Sequence, residues 1–288
     1  VTWRSLVITK PARLSFKARR LVIEQEETVS VPLEDIAAIV LETPQATLTA
    51  SLLAALAEAD IALFSCDATH LPNGVFLPFH GHSRQPRNMR LQLELSVPQK
   101  KRAWSAIVAA KLENQARCLD YCHRTDGDSL RALARRVLSG DPENLEGQGA
   151  RIHFAALFGQ GFQRAHESWA NGALNYGYAV LRGAIARALA MHGFLPAFGL
   201  HHRSEQNPFN LADDFIEPFR PLVDLHVATN GFDKDGELTP ADKAALVSLL
   251  HHDVILPSAG DGSDERTSAL SAINGVAESF LRMVEVGN

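Results

Sequence analysis

The chain has 288 residues, 46% of them hydrophobic, enough for one large core or two moderate ones. Its 28 basic and 33 acidic residues give a formal charge of −5 at pH 7, which excludes an indiscriminate binder of nucleic acid but leaves room for a local basic surface. Three cysteines (Cys66, Cys118 and Cys122) are too few for a disulfide framework, and the apolar runs are too short and charge-broken to span a membrane, so a soluble, cytoplasmic protein is expected.

Residues 1–82 read as β-rich. Arg20–Glu24 and residues 28–31 are short β-branched runs on either side of a charged turn, and they predict a hairpin. Ile36–Leu41 is an unbroken apolar run suited to a buried strand. Residues 48–57 look like a short Ala- and Leu-rich helix, and residues 61–66 return to strand. Leu71-Pro72-Asn73-Gly74 carries turn chemistry. Residues 83–98 then read as a linker. Arg84, Arg87 and Arg90 there, with Lys100, Lys101 and Arg102 just beyond, are set against one nearby acid, Glu94.

From residue 99 the pattern is helical. Trp104, Ile107, Val108, Leu112, Leu119 and Cys122 recur at helical spacing, with Pro98 where a first turn tolerates it. Further helices are predicted over residues 130–138, from Glu146 onward, and over 174–191, 210–225 and 268–284. Thr239-Pro240-Ala241-Asp242 starts one more, with a capping hydroxyl and a proline in the first turn. The expected fold is therefore α+β: a small β-rich N-terminal domain (1–82), a linker (83–98) and a larger all-helical domain (99–288). Cys118 and Cys122 share a helix face and read as buried thiols. In Asp233-Lys234-Asp235-Gly236 the glycine comes too early for a calcium loop, leaving a plain turn. His251-His252 reads as a solvated helix end, and Trp3 and Trp104 as core or interface residues.

Three stretches carry possible chemistry. In Leu145-Glu146-Gly147-Gln148-Gly149-Ala150-Arg151-Ile152-His153, Glu146 alone is an ordinary acid complementing a helix start. Gly199-Leu200-His201-His202-Arg203 sets two adjacent imidazoles in a polar loop. Across residues 210–220 a helix would put Asp214 and Glu217 on one face, one turn apart, with Leu211, Phe215 and Phe219 on the apolar face. Two carboxylates and one imidazole form a mixed oxygen and nitrogen set, better suited to magnesium or manganese than to structural zinc. A cation with so few protein ligands keeps positions open for water and phosphate oxygens. Spacing alone leaves open whether the three stretches meet in space.

Together they resemble the CRISPR-associated integrase family, the catalytic subunit of the spacer-acquisition machinery. The resemblance runs through nearly the whole chain. It is most specific over residues 199–224, with support from Glu146-Gly147, Ala150-Arg151 and Leu174-Asn175-Tyr176-Gly177-Tyr178-Ala179. The form of residues 201–211 is similar to that of the subgroup found in loci that also encode the large RNA-guided nuclease (type II).

The resemblance implies a dimerising N-terminal domain, a helical catalytic domain and a homodimer. It also implies assembly with duplex DNA, with the small CRISPR-associated partner subunit and with the large RNA-guided nuclease. The implied activity is Mg2+- or Mn2+-dependent cleavage and integration of DNA by transesterification. The family's metal ligands fall on Glu146, His202 and Glu217, with Asp214 as a supporting carboxylate and Asp213 as the weaker candidate. His201 stands where the family usually has an apolar residue. His153 stands where it often has tyrosine, which puts in doubt any role for an aromatic hydroxyl there. Arg84, Arg87 and Lys101 are the candidate contacts to DNA phosphates, whose contribution to affinity falls with salt. Two alternatives differ in class: a non-catalytic DNA-binding scaffold of the same adaptation complex, and a metal-dependent hydrolase of small phosphoesters.

Overall fold

The computed structural model describes residues 4–76, 83–231, 236–256 and 265–286. Trp3 and Asp233-Lys234-Asp235 lie outside them. Strand β1 (Arg4–Ile8) is followed by β2 (Ala12–Lys17), β3 (Arg20–Glu24), β4 (Thr28–Pro32), β5 (Ile36–Leu41), β6 (Ala46–Leu48), helix α1 (Ala50–Glu58), β7 (Ala62–Cys66) and β8 (Pro72–Phe76). They build two four-stranded sheets, ordered β4-β3-β2-β6 and β1-β5-β7-β8. The predicted hairpin is β3–β4, with Leu21 opposite Val31 and Ile23 opposite Val29.

In the second sheet β1, β5 and β7 run parallel. A parallel strand covered on both faces loses the apolar–polar alternation, and Ile36, Ala37, Ala38, Ile39 and Val40 are accordingly all buried. The pleat, with a bulge at Ala37 opposite Arg4 and Ser5 that shifts the alternation after Ile36, still divides them. Ile36, Ile39 and Leu63 face a core with Leu14, Leu21, Leu52 and Leu56, whereas Ala38, Val40, Ala62 and Phe64 join the core of the helices. The sheet is thus a wall shared by two cores. Leu71-Pro72-Asn73-Gly74 is not a turn but the entry to β8, antiparallel to β7. Proline takes the first position of the strand, where it is tolerated, and Gly74 makes room for the Ser65 side chain opposite.

The remaining elements are α2 (Gln85–Leu93), α3 (Val97–Tyr121), α4 (Gly127–Arg136), α5 (Leu145–Phe158), α6 (Trp169–Met191), α7 (Asn210–Ile216), α8 (Arg220–Asn230), α9 (Pro240–Ser248), β9 (Asp253–Leu256), β10 (Glu265–Ser268) and α10 (Ala269–Val286). Helix α6 is buried on nearly every side, as expected for the centre of a helical layer. It lies against the shared sheet at Gly183, where a Cβ would collide with the Phe64 ring. Among the described residues no helix is long and apolar enough to cross a membrane.

Three further sequence expectations need correction. Residues 83–98 are not an open linker: they contain α2, which opens with a proline in its first turn and buries Asn88 and Gln92. The part from residue 99 is not all-helical, because β9 and β10 pair antiparallel. These two strands are short and half exposed, so they impose little apolar pattern. Finally, residues 210–225 are not one helix. Helix α7 ends at Ile216, a 3-10 turn spans Glu217–Phe219, and α8 follows. Pro218 and Pro221 lack the N–H that an uninterrupted helix would need there, so Glu217 sits at a joint.

Candidate metal centre

Glu146 is placed by the start of α5. Asn144, in the left-handed region at φ 52°, accepts from the Gly147 amide at 3.2 Å. The buried Asp141 carboxylate accepts from the Leu145 and Glu146 amides at 2.9 and 3.0 Å. Amides that a helix start leaves unpaired are thereby satisfied. Glu217 is placed by the proline joint and is buried, and the Arg220 Nε donates to its Oε1 at 2.9 Å. Between the two glutamates stands Lys111 of α3, only 4% exposed. Its Nζ donates to Glu146 Oε1 and to Glu217 Oε2. Segments far apart in the chain thus converge on one cation.

His202 is placed by Asp214, whose carboxylate is fully buried. Asp214 accepts from the amides of Leu200, His201 and His202 at 2.5, 3.1 and 3.1 Å, and from His202 Nδ1 at 2.8 Å. One carboxylate winds the whole loop, and Gly199 is needed because a Cβ there would press on Asp214 and the His202 carbonyl. The paired histidines separate. His201 stacks on Trp104 with ring centroids 4.1 Å apart, while His202 meets the same indole edge-on at 5.8 Å. Trp104 is a core residue, as expected, and also the shelf under this loop. Asp213 accepts from Asn207 Nδ2 at 2.6 Å and so is engaged within its own loop.

The charges reinforce each other. Burial alone would raise the Glu217 carboxyl, but the Lys111 and Arg220 cations overcome it and hold the group below the ordinary carboxylate value. The hydrogen bond to Asp214 raises the His202 imidazole against the effect of burial, and the Glu217 and Asp213 charges add to the rise. Behind the site, the Arg220 guanidinium lies 4.6 Å from the centroid of the Tyr178 ring. The Tyr178 hydroxyl donates to Asp224, and His153 Nε2 meets the other Asp224 oxygen at 3.0 Å. Tyr178 and His153 thus meet on one buried carboxylate. Burial pushes the Tyr178 hydroxyl well up, so it stays a neutral donor.

Among the described residues no three of His, Cys, Asp and Glu are arranged as a ligand set. Glu146 and Glu217 are brought together, while His202 is tied to Asp214 and coupled to Glu217 electrostatically. The donor chemistry nonetheless fits a divalent cation. Two carboxylates already converge on a positive charge, and an imidazole with Nδ1 held by a carboxylate is oriented as ligating histidines are, leaving Nε2 for an ion. Arg84, Arg87 and Lys101 are exposed, and Arg87 pairs with Glu285 at 2.5 Å. Cys118 and Cys122 lie side by side, and burial raises both thiols, in keeping with inert packing.

Sequence reasoning missed Lys111, Arg220, Asp141 and the buried amides of α2. Lys111 left one trace, a lysine on the same helical stripe as Ile107, Val108 and Leu112. Asn88 Nδ2 donates to the His192 carbonyl at 2.8 Å. Gln92 Nε2 donates to the carbonyls of Leu195 and Phe198 at 2.9 and 2.8 Å, and its Oε1 accepts from the Leu195 amide at 2.9 Å. The expected linker therefore grips the loop leading to His202.

The family model for CRISPR associated protein Cas1 matches residues 6–231. The chain belongs to the Cas1 family. That Cas1 match spans Lys111, Glu146, His202, Asp214, Glu217 and Arg220. A CRISPR-associated endonuclease Cas1 from Neisseria meningitidis serogroup C (strain 8013) is 46% identical over 97% of this chain and 91% of its own. Two solved structures share the Cas1 fold at low identity. One, a casposase bound to integration product, gives a TM-score of 0.77 at 16% identity over 100% of this chain and 92% of its own. The other, a Cas6-RT-Cas1–Cas2 complex, gives 0.70 at 18% identity over 100% of this chain and 35% of its own.

Proposed function

We propose that this Cas1 chain is a divalent-metal-dependent DNA endonuclease and integrase that inserts short DNA fragments into a CRISPR repeat array. Glu146, His202 and Glu217 are its Mg2+ or Mn2+ ligands, and Asp214 supports them. The observation that carries this reading is the meeting of Glu146 and Glu217 on one positive charge, with His202 coupled electrostatically to Glu217. The endonuclease name of the Neisseria relative supports it as well.

The reaction is a transesterification. The 3′-oxygen of the fragment forms a bond to a phosphorus of the repeat as the bond from that phosphorus to its own 3′-oxygen breaks. The attacking hydroxyl gives up a proton and the leaving oxygen gains one. When bound, the metal supplies Lewis-acid chemistry, lowering the pKa of the attacking hydroxyl and neutralising charge at the phosphate. The protein's own groups do the rest. Arg220 keeps Glu217 ionised, Asp214 fixes the tautomer of His202, and the Asp141 cap holds the turn bearing Glu146.

The same proposal assigns dimerisation to residues 1–82 and catalysis to residues 99–288, with 83–98 as the connection that contains α2. Its partners are double-stranded DNA, contacted through Arg84, Arg87 and Lys101, a second copy of the chain, the small CRISPR-associated subunit and the large RNA-guided nuclease, all in the cytoplasm. In the Cas6-RT-Cas1–Cas2 complex a protein of this fold is assembled with Cas2, which supports the small partner.

The test is joining of labelled DNA ends with Mg2+ or Mn2+. Wild type is expected to join them and to stop when EDTA is added. Glu146→Ala, His202→Ala and Glu217→Ala are expected to abolish joining while keeping a native circular-dichroism spectrum. Unimpaired joining by Glu217→Ala would overturn the assignment. One observation favours a second reading, a non-catalytic DNA-binding scaffold: no three-donor set is assembled among the described residues. DNA binding that ignores EDTA, with no joining by wild type, would select that reading.

A further inference from the structure

Lys111 lies on the buried stripe of α3 with Trp104, Ile107, Val108 and Leu112, where packing alone calls for an apolar side chain. Taking an ammonium out of water is unfavourable, and only well-placed opposite charge offsets it. Here both opposite charges are the carboxylates assigned to the metal. With Arg220 on Oε1 and Lys111 on Oε2, both oxygens of Glu217 are engaged by cations of the protein itself. The two glutamates are balanced by two cations, so the cluster is formally neutral.

We propose that Lys111 is a resident counter-ion of the metal centre. It holds Glu146 and Glu217 together when no metal is bound, and metal binding displaces its ammonium from between them. This rests on the reading of Glu146 and Glu217 as metal ligands. Two consequences follow from the charges. Lys111 competes with the metal and so sets its affinity. A divalent ion that takes the place of the ammonium also turns a neutral cluster into one with a single net positive charge, which makes the site attractive to a DNA phosphate only after metal has entered. Lys111 is a positioning residue here, acting through the carboxylates.

Lys111→Met and Lys111→Gln remove the charge and keep most of the length. The readouts are Mn2+ affinity by titration calorimetry, and melting temperature in EDTA and in Mn2+. Both variants are expected to melt below wild type in EDTA and to recover most of the difference in Mn2+. Both should bind Mn2+ at least about tenfold more tightly, the effect that one nearby unit charge has on a titrating carboxylate. A lysine with only a structural role would lower melting equally in both conditions and leave Mn2+ affinity unchanged, and that result overturns the proposal. If Lys111→Met folds only when Mn2+ is present, the proposal is supported; if both variants fail to fold in either condition, it is overturned. Wild-type binding of Mn2+ that Glu217→Ala abolishes upholds the ligand assignment independently. If wild type binds no Mn2+ at all, that assignment falls, and this proposal with it.

Discussion

Asp214 and Glu217 look equivalent in sequence, two acids one turn apart, yet they have different tasks. Asp214 ties three consecutive amides and an imidazole to α7, while Glu217 is held by a lysine from α3 and by Arg220, the first residue of α8. The proline joint separates them. Because the folded Glu217 carboxyl is held below its ordinary value of 4.5, the unfolded chain binds the proton more readily. The resulting stability is fully present above pH 4.5 and is lost as pH falls through the lower folded value. In urea unfolding followed across that acid window, wild type is expected to lose stability more steeply than Glu217→Gln. Equal slopes would show that Glu217 makes no such contribution. Lys111, which causes much of this shift, had no local pattern to announce it, because a single cation on an apolar stripe looks like noise until its partners are known.

At the scale of elements, the unexpected feature is that α2 braces the loop of His201 and His202. The charge-rich stretch around it reads as a linker, but the buried face is made of amides, Asn88 and Gln92, rather than aliphatic side chains, so no hydrophobic period marks it. Gln92 makes three hydrogen bonds to the segment that leads into residues 199–203. Gln92→Leu keeps the bulk and leaves those backbone groups unpaired, at a cost of about 1–3 kcal/mol each where no water replaces the side chain. The expected outcome is lower urea stability together with faster amide exchange at Leu200, His201 and His202. Exchange at wild-type rates there would mean that α2 gives the loop no support. Helix α3 was legible because its apolar period and Pro98 in its first turn agree, and most of α6 because its apolar run is long, although α6 begins at Trp169, five residues before the predicted start. Strands β9 and β10 were not, being too short and too exposed to leave a period.

For the whole molecule, the parallel sheet is the organising wall. Its β5 strand was readable because burial on both faces leaves a purely apolar run, whereas β8 was hidden by a Pro-Asn-Gly sequence that suits a turn equally well. The site followed the opposite rule. Glu146, His202 and Glu217 are ordinary one at a time, and only their joint resemblance to the Cas1 family singled them out. The folded chain brings the two glutamates together and ties His202 to Asp214, within electrostatic reach of Glu217. The most direct test of that arrangement is a crystal structure from crystals soaked in manganese, read by anomalous scattering. One ion is expected with side-chain atoms of Glu146, His202 and Glu217 within about 2.0–2.3 Å, and with the Lys111 ammonium withdrawn from between the carboxylates. An ion held by other side chains, or no ion with Lys111 still bridging the two glutamates, would contradict the assignment.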